Sequence, residues 1–377
     1  MKNVILHVGH GKTGSSYLQS VLALNTSYLL DAGILYPDHR SLSKAAKGLI
    51  SSGNQGSLDI EMIEKADQNT VLFSGEALFL KMLKGDLLEA LSKNYKLKVI
   101  MYTRDVIDNA ISRWAQEVKR SGGTQDIDTY LNTVSVGPYP KVVEWIEKSK
   151  ELNFELVLKN YSLHEKDLAA EFFSDVIGKD IDVSNLVLPK AEKVNRSLTH
   201  SENEIQRLFN IFDPESSSLY ISDFLVNKFP DLESSSIKIS KKTFRILNKK
   251  NSEYINKINE FTAENEKVNI GDEKELVIRR NADKSLPNEV LVALGESIKN
   301  KFSKKEDVNE NQVKDGINTF KVLRDTALKI EKGAKLDLSD ALELMKAAQE
   351  LRPNGAVINQ KVEEWSEKLA SEETVEA

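Results

Sequence analysis

The stretch from Val4 to Gln19 constrains the fold more than any other part of the chain. Val4-Ile5-Leu6-His7-Val8 is an apolar run, and Gly9-His10-Gly11-Lys12-Thr13-Gly14-Ser15-Ser16 is a glycine-rich turn with one lysine and three hydroxyl residues. An amphipathic segment follows, with helical spacing expected over 15–30. Strand, glycine loop and helix start together form an anion cradle, because backbone N–H groups and the positive end of the helix dipole converge there. The order of residues narrows the ligand. The common nucleoside-triphosphate loop, G-x-x-x-x-G-K-[ST], has its lysine after the second glycine. Here Lys12 precedes Gly14, and Ser15 and Ser16 follow. The loop is therefore read as a phosphate cradle for something other than an ordinary nucleoside triphosphate. The plainer alternative is a hydroxyl-capped helix start with Lys12 in solvent.

The first part of the chain continues in the same alternation. Apolar runs near 3–8, 70–73, 97–103 and 154–158 read as strands; stretches near 15–30, 77–92, 106–120, 139–150 and 166–177 read as helices. Gly33 stands where a helix C-terminal stop is expected. This alternation implies an α/β fold whose central parallel sheet, P-loop-like at its first strand, is flanked by helices. Ligands of such sheets bind at the carboxyl ends of strands. Three further strand ends carry candidate residues. Lys98–Tyr102 leads into Thr103-Arg104-Asp105, with Ser112 about two turns into the next helix. Thr70–Phe73 leads into Ser74-Gly75-Glu76, and Phe154–Lys159 into Asn160-Tyr161. Arg104 suits phosphate because its planar fork donates two parallel hydrogen bonds.

The pattern H-x-G-x-x-K-T-G-[ST]-[ST] across residues 7–16, followed by the arginine and serine eight residues apart, resembles the sulfotransferases that use 3′-phosphoadenosine 5′-phosphosulfate. The closest likeness is to bacterial members acting on carbohydrate. The resemblance implies that Gly11, Lys12, Thr13, Gly14, Ser15 and Ser16 hold the phosphosulfate end, with Lys12 at the bridging oxygen. It further implies that Arg104 and Ser112 hold the 3′-phosphate and that Tyr161 lies near the adenine. Glu76 is the expected general base and His10 its rival; His7 is expected to be packed. The Arg-Lys-Gly segment of the animal cytosolic enzymes is absent, and Lys193 or Arg196 is the candidate substitute. His39, His164 and His200 show no metal-ligand spacing, and no metal is expected.

Composition bounds the remaining possibilities. The chain has 377 residues and a net charge of −6, which gives no global basic field and disfavours nucleic acid as a partner. There is no cysteine, so disulfide frameworks, cysteine-ligated zinc and thiol catalysis are excluded. No apolar stretch has the length of a membrane span, and the first strand is too short for a signal-peptide core. A cytoplasmic enzyme is expected, since the activated sulfate donor implied by the resemblance is made there.

From about 200 onward the pattern is mostly helical, with Ser201-Glu202-Asn203-Glu204 as a helix start. The catalytic domain is expected over 1–282, its last helix within Tyr254–Asn269, and a helical extension over 283–377. Ser339–Leu351 and Ala356–Leu369 form a helix pair whose small residues Ala347 and Ala348 resemble one tetratricopeptide-type hairpin. One hairpin cannot bury its own face, so it should pack on the catalytic domain, on the helix expected over Pro287–Ile298, or on a partner or second chain. The alternative is a solvated helical tail. Sulfuryl transfer to a carbohydrate hydroxyl is the leading expectation. Against it stand a P-loop kinase or nucleotide hydrolase, and a sulfotransferase-fold scaffold without activity. The kinase is disfavoured by the position of Lys12 and by the lack of a clear strand-end aspartate for magnesium.

Overall fold

The structure, a computed structural model, describes residues 1–39, 42–46, 58, 60–133, 136–177, 183–189, 197–211, 217–229, 232, 237–273, 324, 328, 338–351, 353 and 355–375. Strands β1 (Asn3–His7), β2 (Ile34–Leu35), β3 (Thr70–Ser74), β4 (Lys96–Thr103) and β5 (Glu155–Asn160) form one sheet in the order β2-β3-β1-β4-β5. Every pairing is parallel, so the carboxyl ends of all five strands share one edge. Both faces are apolar, as a parallel sheet covered on both sides requires. Side-chain alternation sends Val4, Leu6, Phe73, Val99 and Met101 into one core, and Ile5, Leu72, Ile100 and Tyr102 into the other.

Helices close each core. The first is completed by Leu88 and Leu91 of α6 (Leu87–Asn94), Val142 and Trp145 of α9 (Tyr139–Leu152), and Ile255 and Ile258 of α15 (Lys241–Phe261). The second is completed by Leu18 and Leu22 of α1 (Ser15–Leu24) and by Phe172 and Phe173 of α11 (Leu168–Ile177). The strands fall where their apolar runs predict, except β2, whose two residues are too few to show a pattern. The helix expected over 15–30 is two, α1 and α2 (Thr26–Asp31). The break has a side-chain cause: Asn25 Nδ2 donates to the carbonyls of Val21 and Val187 at 2.7 and 2.9 Å, and Asn25 Oδ1 accepts the Val187 N–H at 2.9 Å. The helix expected over 77–92 is likewise two, α5 (Leu78–Lys81) and α6, parted by Gly85 at φ 81.

The chain divides into two compact units, one of Met1–Trp114, Ile127–Asn195 and Lys238–Val277, the other of Ala115–Asp126, Arg196–Ile237 and Ile278–Ala377. The boundary expected near 282 lies outside the described residues, as does the helix expected over Pro287–Ile298. In the second unit, α12 (His200–Asn210) starts ahead of the expected Ser201, because Thr199 and Glu202 form a reciprocal capping box. Arg207 of α12 is 1% exposed, paired with Glu204 and donating to the Thr124 carbonyl. The expected helix pair near the C-terminus is α16 (Leu338–Leu351) and α17 (Ala356–Val375). Its apolar face is covered rather than solvated: Ala341, Leu344, Met345, Ala348, Ile358 and Trp365 form a core with Leu208. Among the described residues, no helix is long and apolar enough to cross a membrane.

Candidate functional site

The loop after β1 emerges at the carboxyl edge of the central strand, between β3 and β4. Neighbouring strands fix its base, since Val8 N–H donates to the Ile100 carbonyl at 3.0 Å and Gly75 N–H to the His7 carbonyl at 3.1 Å. Two residues of the loop lie in the left-handed region, Lys12 at φ 76 and Gly14 at φ 75. For a lysine this conformation costs about 1–3 kcal/mol, so the rest of the fold holds it there. Gly14 is required twice over: a Cβ there would stand 2.3 Å from Leu168 Cδ2 and 2.8 Å from Tyr161 Cε2. A Cβ on Gly9 would meet Ser15 Oγ at 2.2 Å. Gly11 is open, the nearest atom to its added Cβ being Glu76 Oε2 at 4.0 Å.

The expected donors divide into committed and available groups. Thr13 is fully buried, and its hydroxyl donates to the His10 carbonyl at 3.2 Å, which braces the loop. Ser15, the first residue of α1, is 2% exposed, and its Oγ has no protein partner. Lys12 and Ser16 are half-buried. Arg104 follows β4; its Nη1 donates to the Lys12 carbonyl at 3.2 Å, and its guanidinium lies over the Tyr161 ring, 5.2 Å from the centroid. Arg104 Nε is buried without a partner. Ser112 is half-buried on α7 (Val106–Arg120), one turn beyond Asn109, whose Nδ2 donates to the Gly11 carbonyl at 3.4 Å. Gly11–Ser16, Arg104 and Tyr161 are thus brought together, Ser112 lies on the helix that reaches the loop, and Arg196 lies outside the described residues.

The two candidate bases differ sharply. His10 is 4% exposed, its ring edge-on to Phe79 and Tyr139 at 5.8 and 6.3 Å. Burial lowers its pKa to about 4, with Arg104 and Arg113 adding to the effect, and a hydrogen bond to the Gly11 carbonyl opposes it. It is neutral near pH 7 and a weak proton acceptor. Glu76 stands in the turn after β3, and burial raises its pKa while Lys12 pulls it back. His7 is packed as expected, fully buried with Nδ1 2.8 Å from Ser74 Oγ.

Several contributors lie outside the motif residues. Tyr139 donates its hydroxyl to the Arg104 carbonyl at 2.9 Å. Arg113 falls one helical turn from Asn109, and its Nη1 is 3.5 Å from the point where a Gly137 Cβ would lie. That spacing from Asn109 was legible as one helix face; the Tyr139 contact, made across the fold, was not. His164, Asp167 and Glu171 bring donor atoms within 4.8 Å of one another, a helical spacing the sequence reading passed over. Two of the three are already engaged, His164 with Glu266 at 2.7 Å and Glu171 with Lys159. Compared with known proteins, the chain matches no family model and no curated protein.

Proposed function

We propose that the protein is a sulfotransferase that moves the sulfuryl group of 3′-phosphoadenosine 5′-phosphosulfate to a hydroxyl of a carbohydrate acceptor, in the cytoplasm. The observation that carries this is the pairing of the lysine loop with Arg104 at the edge of adjacent strands, with Ser15 Oγ and Arg104 Nε buried and unpartnered. Leaving such groups unsatisfied costs about 1–3 kcal/mol each, which an anionic ligand offsets. In this proposal the P-loop-like cradle takes the phosphosulfate, Arg104 and Ser112 take the 3′-phosphate, and Tyr161 flanks the nucleoside. Resemblance, rather than a sugar-binding feature, supports carbohydrate as acceptor.

The chemistry assigns each group a task. The acceptor oxygen attacks sulfur in line as the bond from sulfur to the phosphate oxygen breaks. The electron pair goes to that oxygen, leaving adenosine 3′,5′-bisphosphate, and Lys12 stabilises the charge developing there. The hydroxyl proton goes to Glu76, whose raised pKa suits it better than the depressed one of His10. No metal is needed for these steps. The test is calorimetric titration with adenosine 3′,5′-bisphosphate and, separately, with ADP plus magnesium. Metal-independent binding of the bisphosphate alone supports the proposal. Preference for ADP–magnesium overturns it in favour of a kinase, and binding of neither in favour of a scaffold.

A further inference from the structure

The segment after α15 belongs, by its hydrogen bonds, to the strand ends that carry Arg104 and Tyr161. The N–H groups of Val106 and Ile107, which a helix leaves unpaired at its start, donate to the carbonyls of Asn269 and Ile270 at 2.9 and 3.1 Å. Asp105 Oδ1 accepts from the Asn269 N–H at 2.8 Å and from Asn160 Nδ2 at 3.0 Å. Asn160, fully buried at the end of β5, also donates Nδ2 to the Lys267 carbonyl at 2.9 Å and its N–H to Glu266 Oε2 at 2.9 Å. Its own Oδ1 accepts from Ser162 N–H, capping α10 (Tyr161–His164). Glu266 is 7% exposed, and its other oxygen meets His164 Nε2 at 2.7 Å. Asn259 ties the segment back to α15 through both polar groups of Val268, at 2.9 Å each.

Resting on the donor assignment above, we propose that residues 266–270 are a clasp that positions Arg104 and Tyr161 for the 3′-phosphoadenosine end of the donor, with Glu266, Asn160 and Asp105 as its positioning residues. Arg104 directly precedes Asp105, and Tyr161 directly follows Asn160, so the clasp holds the chain neighbour of each member of the stacked pair. Releasing it frees the turn that aims the guanidinium without removing any group that touches ligand. The 5′ end of the donor is held by the loop after β1, which meets the clasped pair through the Arg104 bond to the Lys12 carbonyl and the Tyr161 ring beside Gly14, so it depends on the clasp less than the 3′ end does.

The experiment measures affinity for adenosine 3′,5′-bisphosphate and for AMP, which lacks the 3′-phosphate, in the wild type, Glu266→Ala and Glu266→Gln. The alanine variant should bind the bisphosphate about tenfold more weakly and AMP only about twofold more weakly, because AMP lacks the phosphate that Arg104 takes but keeps the nucleoside that Tyr161 flanks. The glutamine variant, whose amide oxygen still accepts from Asn160 N–H, should stay within about twofold of the wild type. Hydrogen exchange on the wild type provides a test that needs no variant to fold: the bisphosphate should slow exchange at the Val106, Ile107 and Asn269 amides, and more than AMP does. An unchanged bisphosphate-to-AMP ratio in a folded Glu266→Ala protein, or unaltered exchange at those amides, overturns the clasp. A wild type that binds no bisphosphate overturns the donor assignment itself, and the clasp with it.

Discussion

Lys12 combines the chemical task proposed for it with a backbone conformation that a lysine adopts only under constraint, φ 76. The two can be separated by substitution. Lys12→Gly should raise stability by about 1 kcal/mol, read from denaturant unfolding, because glycine enters the left-handed region without strain. The same variant should lower kcat by about 10²–10³-fold, with bisphosphate affinity much less affected. Equal losses in turnover and affinity would mean that Lys12 binds rather than stabilises the transition state. Glu76→Gln should leave donor affinity intact and lower kcat by about 10²–10⁴-fold. Because burial raises the Glu76 pKa, wild-type turnover should fall as pH drops through that raised value, and this limb should vanish in the glutamine variant. Near-normal turnover would move the base elsewhere. The buried histidines give a different pH dependence. His7 and His10 fall from 6.5 to about 4 on burial, so the folded state binds fewer protons than the unfolded chain between those values. Their contribution to stability is complete above pH 6.5 and is lost progressively as pH falls toward 4, at about 1.4 kcal/mol per pH unit for each group. His10→Gln should make that acid limb shallower in urea unfolding measured from pH 4 to 7.

Elements with a strong period were legible, and those set by single side chains were not. β1, β3, β4 and β5 announce themselves as apolar runs, and α7 and α9 as amphipathic spacing. The break at Asn25 depends on a contact 162 residues away in the chain, with Val187, which no local pattern encodes. The same distinction holds at the candidate site. Lys12, Arg104 and Glu76 were visible because strand ends in a parallel sheet share one edge. The clasp was invisible because its segment is irregular, with only a short 3-10 turn at Glu264–Glu266. The tight packing at Gly14 is also an element-scale fact. Gly14→Ala would force a Cβ against Leu168 and Tyr161 at positive φ, and should destabilise the protein by about 1–3 kcal/mol in denaturant unfolding. Shortening the opposing side chain, as in Gly14→Ala with Leu168→Ala, should not restore stability, because the strain at φ 75 remains.

At the scale of the molecule, the proposed anionic donor would be attracted by local cations, Lys12, Arg104 and Arg113, rather than by the overall field of a chain of net charge −6. The described residues of the candidate site all belong to the first unit, whereas the helix pair α16–α17 belongs to the second. That division separates stability from binding in a testable way. Trp365 is 1% exposed in the core shared by α16, α17 and Leu208. Trp365→Ala removes a large buried ring and should destabilise the second unit by about 3–5 kcal/mol, seen as lowered protection from hydrogen exchange in α12, α16 and α17. Bisphosphate affinity should remain within about twofold of the wild type, since a ten-fold change corresponds to about 1.4 kcal/mol and no described contact of the site runs through that core. A large loss of affinity in this variant, with β1–β5 still protected, would mean that donor binding is not confined to the first unit.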